Sequence, residues 1–384
     1  MKFSVVIAAY NVENYIGNLL QCLLGQTFSD FEVIVVDDCA TDNTGKRVDE
    51  FAAQFKQKRI PYQVIHKPVN EGLSMARNTG LESASGEYVL FWDGDDLVED
   101  HTLEVIAESI GAHHIDFVVY GYTEDYYKGD EVSYRVEKSP ENLHFAKEKA
   151  RQVAMNSPAI EPLVGAFPYI TNLEQQTMFG YAWNKVFRRE FLLEHNLRYE
   201  TITHVEDVLF NLQVAGHMES MLCIEDNLYH YINRGQVRLT SKYLPEYFEL
   251  QKKRFTEFLT LQNNKINWAK ETDQPISPEE IQLWQQQVME TMAAAYFRTF
   301  QSAITREINH GTSKRDVLAM AEGEKHEPLY RQLRSHLNTQ SKMAKLLYAP
   351  LANGNFSKAY VRGELICFVQ KHFAGLFAKL KQHR

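Results

Sequence analysis

The sequence has few cysteines, no long apolar run and no excess of basic residues. Its 384 residues include four cysteines, which lie far apart and form no CxxC pair or zinc-ligand spacing. Reduced thiols, as in a cytoplasmic protein, are therefore expected. No apolar run reaches the roughly 18 residues that a membrane-spanning helix needs. The net charge of −9 argues against nucleic acid as a partner, because proteins that bind it present basic surfaces.

Two common nucleotide-binding motifs are also missing. No GxGxxG follows the first predicted strand, and GxxxxGK[ST] occurs nowhere. Their absence argues against a dinucleotide-dependent dehydrogenase and a P-loop NTPase. The apolar start, Phe3 to Tyr10, follows a single basic residue and lacks a small-residue cleavage site, so a first strand fits better than a secretion signal.

Residues 1–121 alternate strand-like and helix-like patterns. The predicted strands are Phe3–Tyr10, Phe31–Val36, Tyr62–His66, Glu87–Trp92 and Asp116–Tyr120. Helical spacing of apolar residues separates the first four strands, near 16–24, 43–56 and 73–84. This alternation predicts an α/β fold with a mostly parallel sheet and helices on both faces.

The pattern changes after residue 121. Residues 122–180 are expected to form loops, followed by helices near 182–195 and 205–216 and short strands at 220–224 and 227–232. From about 245 long amphipathic helices begin, and Ser277-Pro278-Glu279-Glu280 has the residues of a helix start. We therefore predict two domains, residues 1–242 and an all-helical region at 243–384.

The most informative motif is Asp93-Gly94-Asp95-Asp96, directly after a predicted buried strand. Three carboxylates so close together repel one another, and a divalent cation would relieve the repulsion because hard cations prefer oxygen ligands. Ligands in open α/β sheets bind beyond the carboxyl ends of the strands, where this motif lies. The alternative is a solvated turn in which Asp96 or Asp100 caps the next helix.

Six blocks in order resemble family 2 glycosyltransferases of the GT-A fold, especially bacterial enzymes that build surface polysaccharides. They are Val5–Asn11, Val35–Asp38 with Thr41–Thr44, Asn70–Asn78, Asp93–Asp96, Trp183–Lys185 and Glu206–Asp207. The resemblance covers residues 1–240. It implies a GT-A, Rossmann-like domain and an inverting, metal-dependent transfer of a hexosyl or N-acetylhexosaminyl group. The donor would be a UDP-sugar, and the acceptor a hydroxyl of a glycan or lipid-linked glycan in capsule, lipopolysaccharide or teichoic-acid-like synthesis.

The resemblance also implies a donor site. Its residues are Ala8, Tyr10, Asp38, Asn70, Gly72, Arg77, Asp93 and Arg234. Tyr10 would stack on the base, although a core aromatic at a strand end fits equally well. Asp38 would accept from uracil N3–H, and Arg77 would meet ribose or diphosphate; the alternatives are a helix-capping aspartate and a surface arginine.

Catalytic, metal and acceptor roles follow from the same resemblance. Asp93, Asp95 and His230 would bind Mn²⁺ or Mg²⁺, Asp207 would be the general base with Glu206 as fallback, and Trp183 and Lys185 would contact the acceptor. Each residue type also has an ordinary role: a packed histidine, a pair of carboxylates favoured at a helix start, or a core aromatic.

Two positions depart from the family pattern. Ala8 replaces a frequent proline, and Cys39-Ala40 replaces the usual Gly-Ser. Both replacements exchange small residues for other small residues at the predicted base pocket.

The carboxy-terminal segment combines an apolar stripe with basic charge. Leu365, Phe368, Val369, Phe373, Leu376, Phe377 and Leu380 share one helical face. Residues 340–384 carry eight Lys or Arg and one Glu, a net of +7, which leaves −16 for the remainder of the chain. A basic amphipathic helix at about 363–384 predicts peripheral contact with the inner membrane face. Packing within the helical domain, or a homo-oligomer formed through it, is the alternative.

Two other functions stay open at this stage. A non-catalytic partner subunit that binds a nucleotide-sugar would keep the donor site without needing Asp207. A sugar-1-phosphate nucleotidyltransferase also pairs a similar sheet with carboxylate-bound metal, but its usual glycine-rich first loop with a basic residue is missing.

Overall fold

The computed structural model describes residues 1–129, 131–140, 166–234, 243–271, 277–338 and 342–372, with backbone alone at 166–169 and 342–344. The chain divides into two compact units, Met1–Val237 and Arg238–Arg384. That residues 1–242 and 243–384 are also separate functional domains stays a prediction.

The first unit contains nine strands in the described residues. They are β1 Phe3–Ala9, β2 Phe31–Asp37, β3 Tyr62–His66, β4 Tyr88–Asp93, β5 Leu97–Val98, β6 Phe117–Lys128, β7 Glu131–Lys138, β8 Lys185–Arg188 and β9 Met221–Asn233. The helices are α1 Ile16–Leu24, α2 Thr44–Asp49, α3 Ala52–Lys58, α4 Leu73–Ser83, α5 Thr102–Ile110, α6 Ala166–Gln175, α7 Arg189–Glu194 and α8 Glu206–His217.

The strands form one sheet in the order β3-β2-β1-β4-β8-β6-β9-β5, and β7 pairs with β6. Strands β1 to β4 pair in parallel, as do β6 and β9, whereas β8 is antiparallel to both of its neighbours. This mostly parallel sheet with flanking helices confirms the predicted α/β fold class.

The register of the central strands determines where a ligand site can form. Ala9 at the end of β1 lies opposite Asp37 of β2, and Ala8 lies opposite Asp93 at the end of β4. Helix α4 packs tightly on this region, because a Cβ on Gly80 would lie 2.2 Å from Val6 Cγ1. Three strand ends therefore meet at one edge of the sheet, and the residues that follow them emerge there.

All five strands predicted within residues 1–121 are present. The loops predicted at 122–180 are wrong in the described part, because β6 extends to Lys128 and pairs with both β7 and β9. The helix predicted at 182–195 begins instead as β8, since Lys185 and Phe187 pair with β6. The short strands predicted at 220–224 and 227–232 are one strand, β9.

The second unit is helical, as predicted. Its elements are α9 Tyr247–Glu271, α10 Pro278–His310, α11 Lys314–Glu324, α12 Pro328–Leu333, a 3₁₀ turn Arg334–His336, α13 Lys342–Ala352 and α14 Phe356–His372. The predicted start of α10 is confirmed, because Ser277 Oγ accepts from the Glu280 N–H at 3.2 Å and the Glu280 carboxylate accepts from the Ser277 N–H at 2.8 Å. None of the described helices is both long and apolar enough to cross a membrane.

The apolar stripe predicted for the tail is partly visible on α14. Of its residues, Leu365 and Phe368 are 61% and 53% exposed, and Val369 is half-buried. Phe373, Leu376, Phe377 and Leu380 lie outside the described residues. Contact with a membrane and oligomerisation through this unit stay predictions.

We predict that His66 makes the stability of the first unit depend on pH. Its Nδ1 lies 2.8 Å from Asp37 Oδ2 and its Nε2 lies 3.2 Å from Asp49 Oδ1. The hydrogen bond with Asp37, with help from Asp49, raises the pKa of His66. The stabilisation is therefore complete below the unfolded pKa of about 6.5 and disappears as the pH rises through the higher folded value.

Thermal melts of His66→Gln across the pH range measure this effect. We expect a lower melting temperature than wild type at about pH 6, and a smaller difference at about pH 8.5. His114→Gln is the control, since that ring is 82% exposed and lies 3.8 Å from Glu87. An equal loss at both pH values for His66→Gln would contradict the assignment.

Candidate functional site

The acidic turn after β4 contains carboxylates with different surroundings. Asp96 is buried, its Oδ1 accepts from the N–H of Ile232 at 2.8 Å, and its Oδ2 accepts from the hydroxyl of Tyr229 at 2.8 Å. The Asp95 carboxylate forms no hydrogen bond or ion pair with any residue that the structure describes. Helix α5 has His101 as its N-cap, without a side-chain cap, so neither Asp96 nor Asp100 caps it. Asp96 thus holds the turn, and Asp95 is open to a ligand.

The guanidinium of Arg77 lies buried between Asp93 and Asp207. Its Nη2 donates to Asp93 Oδ1 at 2.9 Å, and its Nη1 donates to Asp207 Oδ1. Burial lowers the pKa of Arg77, but the surrounding acidic groups, Asp207 first among them, outweigh burial and raise it. Burial also raises the pKa of Asp93 to about 6 against the opposing effect of Arg77. The sequence predicts that Arg77 contacts the donor. In the structure its guanidinium instead pairs with two protein carboxylates, and its side chain is buried.

Glu206 and Asp207 begin α8, as expected for carboxylates at a helix start. Asp207 Oδ2 also accepts from the N–H of Ala182 at 3.2 Å. Burial, and next the charge of Asp207, raise the pKa of Glu206. The preceding residue, Val205, has φ = 64°, a left-handed conformation that is strained for a β-branched residue. This backbone brings Asp207 to Arg77 and to the 181–183 segment.

The predicted acceptor residue Trp183 belongs to a cluster of stacked rings. Its ring stacks on Tyr229 at 4.6 Å and 11°, on Tyr231 at 5.3 Å and 13°, and on Tyr181 at 4.6 Å and 21°. Trp183 itself is 2% exposed, whereas Tyr181 and Tyr231 are half-buried. Any sugar that reaches this cluster would therefore meet the tyrosines more directly than the tryptophan.

Lys185 does not face an acceptor in this structure, contrary to the prediction. Its side chain is fully buried, and Nζ donates to the carbonyls of Met178 at 2.9 Å and Tyr181 at 3.0 Å and to Asn184 Oδ1. Burial lowers its pKa to about 7. The ammonium therefore secures the segment before β8 that contains Trp183.

The predicted donor residues lie at the edge where β1 and β2 end. Tyr10 is 46% exposed, so its ring is accessible to a base. Asp38 is buried, and its two carboxylate oxygens accept from the N–H groups of Glu71 at 3.1 Å and Gly72 at 2.7 Å. Asn70 Nδ2 donates to the Asp38 carbonyl at 3.1 Å. Asp38 thus fixes the start of α4, and each carboxylate oxygen retains a second lone pair.

The two departures from the family pattern also lie at this edge. Ala8 is paired with Asp93 across β1 and β4. Cys39 has φ = 57°, the left-handed conformation that glycine adopts without strain. The Ala40 N–H donates to Asp37 Oδ1 at 2.9 Å, which holds this turn in place.

His230 is held by two protein carboxylates, which corrects its predicted role as a metal ligand. Its Nδ1 lies 2.9 Å from Asp125 Oδ2 and its Nε2 lies 2.8 Å from Glu99 Oε1, so neither nitrogen is free for a cation. Arg234, in contrast, lies at the acidic turn, where its Nη1 donates to the Asp95 carbonyl at 2.9 Å. The role of Arg234 in donor binding stays a prediction.

Among the described residues, three potential metal ligands come within 4.8 Å of one another at Glu99, Asp100 and His101. Asp100 and His101 are exposed, and the Glu99 carboxylate already bonds to His230 Nε2 at 2.8 Å. The predicted set of Asp93, Asp95 and His230 is not brought together in this conformation.

Sequence reasoning missed the partners that hold the site together. The hydroxyl of Tyr229 and the side chain of Asp96 join the acidic turn to β9, and the N–H of Ala182 holds Asp207. Tyr229 directly precedes His230, which the resemblance singled out, but nothing in its type or spacing predicts a hydroxyl aimed at Asp96.

Comparisons with known proteins agree with this architecture. The model of glycosyl transferase family 2 matches residues 4–195. The uncharacterized glycosyltransferase EpsJ of Bacillus subtilis is 29% identical over 262 residues, which are 68% of this chain and 70% of EpsJ. The poly(ribitol-phosphate) β-N-acetylglucosaminyltransferase TarS of Staphylococcus aureus is 28% identical over 65% of this chain, but the match spans 39% of TarS.

The crystal structure of TarS residues 1–349 in complex with UDP-GlcNAc is also similar in fold. It has a TM-score of 0.55 and 20% identity, and the match covers 93% of this chain and 92% of that structure. The strand-end carboxylates, the paired acidic residues of α8 and the family match lead to one conclusion. The chain belongs to glycosyl transferase family 2.

Proposed function

We propose that this enzyme transfers a hexosyl or N-acetylhexosaminyl group from a UDP-sugar to a hydroxyl of a glycan or lipid-linked glycan, with inversion at the anomeric carbon. The observation that carries the proposal is Arg77, which holds the strand-end carboxylate Asp93 and the helix-start carboxylate Asp207 on one guanidinium. The Asp93 carboxylate, on the donor side, and the Asp207 carboxylate, the candidate base, therefore both pair with the guanidinium of Arg77.

The relatives support the donor and the setting. TarS is named as an N-acetylglucosaminyltransferase acting on poly(ribitol-phosphate), and its structure holds UDP-GlcNAc. We therefore take UDP-GlcNAc as the first donor to test, and bacterial surface-polysaccharide synthesis in the cytoplasm as the setting. Contact of the tail with the inner membrane face is not needed for the proposed reaction.

Asp207 would act as the general base. Its carboxylate would take the proton of the acceptor hydroxyl while the acceptor oxygen bonds to the anomeric carbon and UDP leaves with the electron pair of the broken C–O bond. A single displacement of this kind inverts the anomeric centre. Arg77 and the Ala182 N–H orient the carboxylate, and both of its oxygens keep a lone pair for the proton.

The donor side would bind through the residues at the ends of β1, β2 and β4. Tyr10 offers a ring face to uracil, Asp38 offers an acceptor for its N3–H, and Arg234 lies beside the turn where a diphosphate would bind. Asp38→Ala would also remove the hydrogen bonds that fix the start of α4. A loss of UDP affinity in that variant would therefore combine the lost contact with uracil and a change in local structure.

The acidic turn fits a divalent cation. Asp95 has a carboxylate without a partner among the described residues, and Asp93 beside it adds a second hard oxygen donor. Mn²⁺ or Mg²⁺ suits such ligands, and when bound it would neutralise charge on the diphosphate leaving group. His230 is not part of this set, because both of its nitrogens bond to carboxylates.

A screen for UDP release from nucleotide-sugars, with and without Mn²⁺ and with acceptor extracts, tests the proposal. Acceptor-stimulated release of UDP supports transfer. Binding of UDP-sugars without turnover under every condition would favour a non-catalytic partner subunit, and formation of a nucleotide-sugar from a sugar-1-phosphate would favour a nucleotidyltransferase.

We predict that Asp207→Asn abolishes transfer while donor binding persists. A general base contributes about 10²–10⁴-fold to the rate, so the loss should lie in that range, with UDP affinity changed by less than about threefold. Initial rates and calorimetry measure the two effects. Glu206→Gln is the matched variant, and a normal rate for Asp207→Asn with a large loss for Glu206→Gln would move the base to Glu206.

We predict that Asp95→Asn reduces the gain in donor binding that a divalent cation provides. Replacing a charged ligand with an amide should weaken Mn²⁺ binding by at least about tenfold. Titration of UDP in Mn²⁺ and in EDTA measures it. Asp30→Asn is the control, because that carboxylate is 63% exposed and precedes β2, at the end of the sheet opposite the acidic turn. Equal UDP binding by wild type in Mn²⁺ and in EDTA would remove the metal from the proposal.

A further inference from the structure

The hydroxyl of Tyr229 joins the two ends of the acidic turn. Tyr229 lies on β9 and is fully buried. Its hydroxyl donates to Asp96 Oδ2 at 2.8 Å and accepts from the backbone N–H of Asp93 at 3.2 Å. The turn is closed within itself by the Asp96 N–H, which donates to the Asp93 carbonyl at 3.2 Å. One phenol group thus fixes both the first and the last residue of the motif.

Further contacts fix the backbone between those ends. Asp96 Oδ1 accepts from the Ile232 N–H at 2.8 Å, and Arg234 donates to the Asp95 carbonyl at 2.9 Å. Strand β9 and the residue after it therefore hold the turn at several points. The Asp95 carboxylate is left projecting from this frame without a described partner. Its direction follows from the backbone that Tyr229 and Arg234 hold.

The ring of Tyr229 reaches the other half of the site. It stacks on Trp183 at 4.6 Å and 11°. The residue before Trp183, Ala182, donates its N–H to Asp207 Oδ2 at 3.2 Å. Tyr229 therefore contacts the acidic turn through its oxygen and the segment that holds the candidate base through its ring.

We propose that Tyr229 is a positioning residue that sets the acidic turn for a divalent cation and ties that turn to the segment that holds Asp207. The inference rests on the proposed function, because it takes Asp93 and Asp95 as the cation-binding carboxylates. Residues that hydrogen-bond to metal ligands without contacting the metal fix the orientation of those ligands. Their loss weakens metal binding.

Tyr229→Phe removes the hydroxyl and keeps the ring stacked on Trp183. The Asp93 N–H and Asp96 Oδ2 then both lose the Tyr229 hydroxyl as their hydrogen-bond partner. The chain offers a matched control in Tyr88, which is also fully buried and lies at the opposite end of β4. The Tyr88 hydroxyl donates to the His113 carbonyl at 3.2 Å and accepts from the Ile115 N–H at 3.2 Å. Tyr88→Phe therefore removes an equivalent bridge far from the acidic turn.

Binding of Mn²⁺ to the full chain in the presence of UDP, followed by electron paramagnetic resonance, is the main measurement. We expect Tyr229→Phe to weaken Mn²⁺ binding by about 10–100-fold, and Tyr88→Phe to leave it unchanged. Melting temperatures should fall in both variants, because each loses the two hydrogen bonds of a buried tyrosine hydroxyl. Equal Mn²⁺ affinity in wild type and Tyr229→Phe would overturn the proposal and leave Tyr229 with a structural role alone.

A second variant covers the case in which Tyr229→Phe does not fold. Asp96→Asn places an amide NH₂ where Oδ2 accepts from the Tyr229 hydroxyl and keeps an oxygen for the Ile232 N–H, so it should weaken Mn²⁺ binding in the same direction by a smaller factor. Unchanged Mn²⁺ binding in Asp96→Asn would contradict the inference. Wild-type protein that binds UDP equally well without any cation would overturn the assignment of the cation site itself. This measurement on wild type distinguishes a failure of the cation site from a failure of the role given to Tyr229.

Discussion

The site depends on one buried guanidinium, that of Arg77, between two carboxylates from distant parts of the sequence. Asp207 lies 130 residues from Arg77 along the chain, and Asp93 lies 16 residues from it. Burying either carboxylate alone would be costly, and burying both side by side would add their repulsion. The arginine offsets both effects, so the end of β4, the middle of α4 and the start of α8 must come together with this charge in place.

Much of the fold and the location of the site could be predicted from the sequence. Buried parallel strands are continuous apolar runs, and Phe3–Ala9, Phe31–Asp37 and Tyr88–Asp93 are of this type. Parallel strands end at a common edge, so the residues after them, Tyr10, Asp38 and Asp95, were expected to lie near one another. The family resemblance then supplied roles that spacing alone does not supply.

The sequence could not predict whether a given polar side chain binds a ligand or another part of the protein. Lys185, His230 and Arg77 are residues that can bind a substrate or a metal, but each meets protein groups here: carbonyls for Lys185 and carboxylates for the other two. The partners of His230 and one partner of Arg77 lie more than 100 residues away along the chain, whereas those of Lys185 lie within seven residues of it, next to the β6–β8 pairing. The same pairing turned the segment at Lys185–Arg188 from a predicted helix into a strand, because a short apolar run fits either state.

A double-mutant cycle between Arg77 and Asp207, read by urea unfolding, tests the role of Arg77 most directly. Arg77→Met alone should lower the free energy of unfolding by at most about 3–5 kcal/mol, because it leaves two half-buried carboxylates unpaired. Adding Asp207→Asn removes one of those charges, so the double variant should lose less than the two single losses combined. Arg188→Met with Asp207→Asn is the control, since Arg188 pairs with Asp116, and these losses should add. Losses for Arg77 and Asp207 that add within about 0.5 kcal/mol would contradict the account.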